Sequence, residues 1–285
     1  MKAHKSHYPI EVMSQVFNVS RSGYYDWLDR EPSPRAQEDE RLKVAIRAAH
    51  EKTRRTYGIK RLHPELLAEG FVAGRDRIER LRKSMGLYCK QKKAFKITTN
   101  SNHEFPTAAN VLAQKFTATR PNEVWVTDIT YIPTGEGWLY LAGLKDLFNA
   151  EIVGYAMGAR MTQDLVMQAL QKAITNRKPA AGLIHHSDRG SQYCAHQYRQ
   201  LQENYGIKTS MSRRGNCYDN APIESFWGSL KNELIHHRQY ATRAEAQASI
   251  QEYIEVFYNR QRRHSSLGYV SPATFLQHFY QPAAT

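Results

Sequence analysis

The chain has 285 residues, a formal net charge of +13 and 41% hydrophobic residues, enough to build a substantial core. No run reaches the roughly 18 apolar residues of a membrane span, and the first residues lack the apolar stretch of a signal peptide. We therefore expect a cytoplasmic protein without membrane partners. Cys89, Cys194 and Cys217 are few and widely spaced, which argues against a disulfide framework or a cysteine-based zinc site.

The positive charge is unevenly distributed along the chain. Residues 1–118 contain 23 Lys and Arg against 13 Asp and Glu, whereas the remaining residues contain 17 against 14. This asymmetry indicates a polyanion-binding module joined to a nearly neutral larger part, and nucleic acid is the favoured partner. A solvated surface with excess lysine is the alternative.

Residues 1–33 are predicted to form a short helix-turn-helix-like segment. A helix over 9–17 and a turn precede a second short helix, for which Ser22 is the predicted capping residue. Helical hairpins without DNA contacts are common, so DNA contact and a plain hairpin remain equally compatible with this pattern. The two prolines in residues 31–35 predict a boundary.

Residues 36–96 are predicted to form a basic helical DNA-binding domain, with helices over 38–53, 60–69 and 75–85. The last helix and the segment after it carry nine basic residues, which we expect to bind phosphates through charge and counterion release. A solvated helix is the alternative. The nine are Arg75, Arg77, Arg80, Arg82, Lys83, Lys90, Lys92, Lys93 and Lys96. Residues 97–118 are polar and weakly patterned, which is typical of a linker.

After residue 118 strands and helices alternate. The order of three strands, a helix, a strand, a helix, a strand and a helix from Asn220 predicts an α/β core over 119–240 with a mixed five-stranded sheet. Residues 241–285 are assigned to a C-terminal helical extension. The predicted strands lie at 124–132, 137–148, 151–158, 182–187 and 207–212, and the predicted helices between them at 162–176 and 192–204.

Asp128 stands in the middle of an otherwise apolar or β-branched strand that is expected to be central in the sheet. A carboxylate there has a high desolvation cost unless it is paired or bound to a metal. An Asp on a solvated face is the alternative, but the neighbouring strands and helices should cover the sheet. The position favours a functional role for Asp128.

Asp188 directly follows the predicted strand 182–187. The carboxyl ends of strands are where open α/β sheets place their sites. An Asp before a glycine-containing turn is equally consistent with ordinary turn chemistry. His185 and His186 beside it are candidate ligands, although such histidines are more often structural.

Glu224 has the strongest structural alternative of the three acids. Asp219 and Asn220 are predicted to cap its helix, and Pro222 suits the first turn. An acid in that turn gains about 0.3–1 kcal/mol from the helix dipole. That gain alone is enough to explain a glutamate here.

The three acids together predict a site for hard divalent cations, which prefer several carboxylate oxygens. Two such ions would hold the attacking and leaving oxygens of an in-line phosphoryl displacement. Gly228 and Lys231 follow Glu224 on the same helical face, where the glycine leaves room and the lysine can reach a phosphate. The chain lacks the GxxxxGK[ST], HExxH and GxSxG motifs of the common competing chemistries.

Three stretches, VTDITYI, HSDRGSQY and NAPIESFWGSLKNE, together resemble the carboxylate motifs of DDE transposases in the retroviral-integrase superfamily. The 35 residues between Asp188 and Glu224 match the spacing typical of that family. The sequence is similar above all to the OrfB proteins of bacterial insertion sequences, through RTYGIKRLHPELLAEG and YNRQRRHSSLGYVSPATF. The resemblance extends from about Ile10 to Phe275.

The resemblance implies an RNase H-like core with Asp128, Asp188 and Glu224 as ligands of two Mg²⁺ ions, for which Mn²⁺ can substitute. It implies 3′-end nicking followed by strand transfer, with Lys231 contacting the terminal DNA. The implied partners are double-stranded DNA (the terminal inverted repeats and the target), further copies of the chain on that DNA, and the companion protein of the upstream frame.

Two other classes of protein remain open. One is a non-catalytic DNA-binding regulator derived from a transposase, against which the three retained acids argue. The other is a different RNase H-like nuclease. The basic amino-terminal module and the alignment of Lys231 with Glu224 favour end-specific recombination over both.

Overall fold

The computed structural model describes residues 1–90, 108–213 and 217–281. A 3₁₀ turn (Lys2–His4) precedes two short helices, α1 (Ile10–Val16) and α2 (Arg21–Asp29). Ser20, and not the predicted Ser22, caps α2, because the Ser20 hydroxyl accepts a hydrogen bond from the Gly23 amide at 3.0 Å. The cap of the second helix therefore lies two residues earlier than the pattern suggested.

Three further helices form the basic region: α3 (Pro34–Lys52), α4 (Ile59–Ala68) and α5 (Arg75–Ser84). The first of them begins inside the predicted boundary at 31–35. Ser33 caps it by accepting from the Ala36 amide at 3.2 Å, and Pro34 occupies the first turn, where a missing N–H costs nothing.

The core contains a five-stranded sheet in the order β3-β2-β1-β4-β5. The central strand β1 pairs with β2 in antiparallel and with β4 in parallel orientation, and β4 pairs with β5 in parallel orientation. The mixed sheet predicted from the element order is thus confirmed. The strands are β1 (Val124–Thr134), β2 (Gly137–Asp146), β3 (Ile152–Gly158), β4 (Ile184–Ser187) and β5 (Lys208–Met211).

One face of the sheet is covered by α6 (Gln163–Arg177), α7 (Ser191–Cys194) and α8 (His196–Asn204). The predicted single helix over 192–204 is wrong, because it is interrupted at Ala195, whose backbone is extended. The interruption brings the buried rings of Tyr193 and Tyr198 to a centroid distance of 5.5 Å. An unbroken helix would direct side chains five residues apart away from each other.

The other face is covered by α9 (Ala221–Glu233) and α10 (Arg243–Glu252), which continues into a π-helical turn (Tyr253–Tyr258). A 3₁₀ turn (Ser265–Leu267) and α11 (Pro272–Tyr280) complete the described chain. Among the described residues, no helix is long and apolar enough to cross a membrane.

Residues of α3, α4 and α5 share one hydrophobic core with α9, α10 and the π-helical turn. A buried ion pair supports this junction: Arg262 donates to both carboxylate oxygens of Glu233, at 2.7 and 2.8 Å. Tyr253 donates to the same carboxylate at 2.8 Å, and Arg61 of α4 approaches it at 3.3 Å. The end of α9 is therefore fixed to the helical region and to the C-terminal region at once. We call Glu233, Arg262, Tyr253 and Arg61 the α9 anchor.

Residues 108–118, the second half of the predicted linker, lie against the sheet. The Ser210 hydroxyl accepts from the amides of Val111 and Leu112 at 3.0 and 3.2 Å, and the Leu112 side chain is buried. Residues 91–107 fall outside the described part of the chain. The division of the chain into domains remains a prediction.

Candidate active site

Asp128 lies on the central strand β1, opposite Gly143 of β2. Its side chain is half-buried. Burial, together with the neighbouring Asp188 carboxylate and, less strongly, that of Glu224, raises the pKa of its carboxyl group to about 8. Asp128 is therefore a desolvated carboxyl group that faces two others, as its place in an apolar strand indicated.

The Trp227 indole of α9 donates to Asp128 Oδ2 at 3.0 Å. This contact opposes the rise of the Asp128 pKa, because it stabilises the ionised carboxylate. Gly143 makes the contact possible: a Cβ at this position would lie 2.8 Å from the Trp227 ring. In the sequence, Trp227 belongs to an apolar stripe with Ile223 and Leu230 at helical spacing, which indicates only a buried helix face. Its position one turn after Glu224 was the available signal.

Asp188 directly follows β4, at the carboxyl end of the strand. In the parallel pairing of β1 with β4, Val126 is opposite His186, so the same register continued by two residues brings Asp188 beside Asp128. Asp188 Oδ1 accepts from the Gly190 amide at 2.9 Å. The turn chemistry that seemed to be an alternative explanation therefore orients the carboxylate.

Glu224 lies in the first turn of α9, and burial, followed by the Asp188 carboxylate, raises its pKa. Asn220 occupies the N-cap position of α9 as predicted, but neither its side chain nor that of Asp219 makes a capping hydrogen bond. Asn220 instead donates to the Thr127 carbonyl at 2.9 Å, and Asp219 is held by Arg213. The Asn220 bond holds the start of α9 against β1.

Lys231 lies two turns after Glu224, half-buried, and interacts electrostatically with Asp128. Burial lowers the pKa of its ammonium group, and the Asp128 charge opposes that decrease. Nothing lies within 4 Å of the position that a Cβ on Gly228 would take. The structure thus brings Asp128, Asp188, Glu224 and Lys231 to one side of the sheet, with open space along the helix between Glu224 and Lys231.

The acids repel one another electrostatically, and such a cluster is a suitable environment for a cation. In their present rotamers, however, no three His, Cys, Asp or Glu side chains among the described residues are close enough to enclose a metal ion. The arrangement provides oxygen donors and a neighbouring cation, which together suit the binding of phosphate groups.

His185 and His186 are structural residues. His185 is buried and shares hydrogen bonds with Tyr198 at 3.0 Å and Gln202 at 2.8 Å. His186 is bound in the same way to Ser210 and Ser212. Both rings point to neighbouring elements of the core and have no place in the acidic cluster.

We expect the buried His185 to make the protein less stable as the pH is lowered. Burial lowers its pKa to about 3, whereas an unfolded histidine titrates near 6.5. Between these values the unfolded chain binds a proton that the folded chain excludes, so the free energy of unfolding falls as pH falls. Between pH 6 and 4.5 the free energy of unfolding, measured by urea denaturation, should fall by about 2 kcal/mol less in His185→Gln than in the wild type. Exposed His278 provides the control, His278→Gln. Equal losses in His185→Gln and the wild type would contradict the assignment.

Gly143 and Gly228 allow a matched test of packing around Trp227. Gly143→Ala should destabilise the protein by about 1–3 kcal/mol, because its Cβ would overlap the Trp227 ring. Gly228→Ala, in open space within α9, should stabilise it by about 0.5–1 kcal/mol. Thermal unfolding of both variants measures the difference, and shifts of the same sign would refute this description of the packing.

The predicted DNA-contacting residues of α5 are partly engaged with acids of the protein. Arg77 binds Asp39 at 2.7 Å and Glu38 at 3.1 Å, and Arg80 binds Asp39 at 2.8 Å. Arg82 is buried and donates to the Tyr57 carbonyl, so it belongs to the helical core and not to a surface that could face DNA. Arg75, Lys83 and Lys90 are exposed, and Lys92, Lys93 and Lys96 lie outside the described residues.

Comparison with protein families gives three matches. An Integrase core domain matches residues 118–217, a second Integrase core domain matches residues 205–272, and an HTH-like domain matches residues 37–95. Together with the sheet order, these matches confirm the predicted fold class: an integrase-type α/β core preceded by helix-turn-helix-like helices.

The chain is 61% identical over 272 residues to a 31 kDa protein of insertion element IS600 from Shigella sonnei, covering 95% of this chain and 100% of that protein. It is 39% identical over 277 residues to the transposase InsF for insertion sequence IS3A from Escherichia coli (strain K12), covering 96% of each. Among solved structures, the simian T-cell lymphotropic virus intasome in complex with PP2A regulatory subunit B56 gamma has a TM-score of 0.49 and 14% identity, over 85% of this chain and 76% of that one.

Proposed function

Because this chain belongs to the insertion-sequence transposases with an integrase core domain, we propose that it nicks the 3′ ends of its element and transfers the freed strands. The proposal rests on one observation: Asp128, Asp188 and Glu224 lie close together. They come from a strand, a strand end and a helix, and interact electrostatically at one side of the sheet. Three acids in mutual repulsion, of which Asp128 and Glu224 are desolvated, bring no gain in stability by themselves, which favours a catalytic reason for them.

Asp128, Asp188 and Glu224 are the residues that would hold two Mg²⁺ ions, or Mn²⁺ in their place. Carboxylate oxygens are the donors that these hard cations prefer, and the like charges of the cluster would be neutralised. When bound, the ions would supply stabilisation of the negative charge that develops on the reacting phosphate. Half-buried Asp188 and Glu224 have room for the rotamer changes that a closer ligand set requires.

The other residues of the site position the reactants. Trp227 holds Asp128 through the indole hydrogen bond, and Lys231 offers its ammonium group to a phosphate of the terminal DNA. In nicking, water attacks phosphorus and the 3′ oxygen of the cleaved strand leaves. In strand transfer, that 3′-OH attacks a second phosphodiester, loses its proton and displaces another 3′ oxygen. One P–O bond forms as another breaks in each step, so no nucleotide cofactor is needed.

The helical region is proposed to hold double-stranded DNA, both the terminal inverted repeats and the target. Arg75, Arg80, Lys83 and Lys90 are exposed and can reach phosphates. Their binding would depend on salt, because each phosphate contact releases counterions. We propose further that copies of the chain assemble on the DNA, with the companion protein of the upstream frame as an additional partner.

The experiment that tests this function is strand transfer by the full chain in Mg²⁺. The substrate is a labelled duplex that contains the inverted repeat beside the coding region and continues into flanking DNA beyond it. We expect a nicked strand and a joined product, both lost with EDTA and restored with Mn²⁺. Specific binding of the ends without nicking or joining, even with the companion protein, would replace this proposal with the DNA-binding regulator.

A further inference from the structure

The hairpin between β1 and β2 carries two aromatic side chains, Tyr131 and Trp138, close to Lys231. These two side chains have no role in the proposed function. Trp138 is 49% exposed, and its ring packs edge-on against that of Tyr131 at a centroid distance of 4.9 Å. Lys231 Nζ lies 5.1 Å from the centre of the Tyr131 ring. Since Lys231 also interacts with Asp128, the aromatic pair borders the candidate active site directly.

The backbone that carries Trp138 is held in place by the start of α10. Arg243 donates to the Trp138 carbonyl at 3.1 Å, and the Arg243 amide donates to the Glu136 carboxylate at 2.8 Å. The Gly135 amide donates to the Tyr240 carbonyl at 2.9 Å. The hairpin therefore presents an exposed indole on a fixed support, and a ligand that binds it does not have to order a loop.

The surroundings of the pair indicate its ligand. Aromatic side chains hold unpaired nucleobases by stacking, with little dependence on sequence, because every base has a flat π face. Lys231, whose Nζ lies beside the Tyr131 ring, can bind the phosphate of the same nucleotide. An apolar protein partner would have to bury this lysine and border the acidic cluster, which costs desolvation.

We propose that Trp138 and Tyr131 form a stacking site for an unpaired base of the DNA strand that enters the candidate active site. The inference rests on the proposed function, since it requires a DNA end beside Lys231. It adds a ligand of defined chemistry: a base that has left the duplex next to the reacting phosphate.

The test compares two duplexes of the element end, one with a three-nucleotide single-stranded overhang and one in which the overhang sugars lack bases. Binding to the full chain is measured in Ca²⁺, so that no strand is cut. Trp138→Ala should weaken binding of the base-containing overhang about tenfold and leave the abasic duplex unchanged. Trp138→Phe should retain most of the affinity. Tyr205→Ala, at an aromatic residue that is 43% exposed on another part of the core, is the matched control.

Equal weakening of both duplexes by Trp138→Ala, or no weakening of either, would overturn the stacking site. Because this readout is binding without chemistry, such a result leaves strand transfer untouched. Conversely, an Asp188→Asn variant that still joined DNA would overturn the proposed mechanism and leave the stacking measurement valid.

Discussion

Asp188→Asn should reduce strand transfer on the order of a thousandfold, because the loss of one ionised oxygen donor removes several kcal/mol of transition-state stabilisation. The substitution keeps the size of the side chain, and the amide oxygen can still accept from the Gly190 amide. It also removes a charge that raises the pKa of Asp128, so the fold should be retained. Initial rates of joined product, normalised to bound DNA, measure the effect.

Asp164→Asn is the matched control for that experiment, since Asp164 is an exposed acid in the first turn of α6. It should leave both binding and joining at the wild-type level. A rate for Asp188→Asn above a tenth of the wild-type rate would show that this carboxylate has no catalytic role.

Arg262→Ala should lower the free energy of unfolding by about 3–5 kcal/mol, because it leaves the Glu233 carboxylate buried without its main partner. Arg262 is 3% exposed and makes both of its shortest ion-pair contacts with Glu233. Loss of the α9 anchor also releases the end of the helix that carries Glu224 and Lys231, so strand transfer should fall with stability. Urea denaturation of the purified chain measures the first effect.

Lys43→Ala provides the comparison, because Lys43 pairs with Glu40 at 2.7 Å on the surface of α3. Exposed pairs contribute at most about 1 kcal/mol. If the two variants were destabilised to the same extent, the α9 anchor would be an ordinary surface contact.

The order of the strands along the chain and the position of Asp128 within the first of them were predictable, because local sequence patterns determine both. Alternating apolar and β-branched residues mark a strand by its period of two, and an acid inside such a run is conspicuous. Most predicted strand and helix ends lie within two residues of the observed ones. The exceptions, such as the start of α3 and the break at Ala195, depend on one capping hydroxyl and on the packing of two tyrosines.

Contacts between residues distant in the chain were not predictable from local patterns. The Trp227 indole donates to Asp128, 99 positions away in the chain. Arg263, which follows the π-helical turn, binds Glu65 of the helical region, 198 positions away. A run of basic residues such as that around Arg82 reads as a DNA-binding surface until the fold shows which members are buried. Sequence alone gives the charge of a residue and leaves its partner open.

We propose that Asp128, Asp188 and Glu224 together hold the catalytic metal ions. Anomalous diffraction from crystals of the full chain bound to its DNA end, grown with Mn²⁺, tests this most directly. We expect anomalous peaks in contact with carboxylate oxygens of all three residues, and their loss in Asp188→Asn. Manganese bound elsewhere, or in contact with only one of the three acids, would contradict the claim.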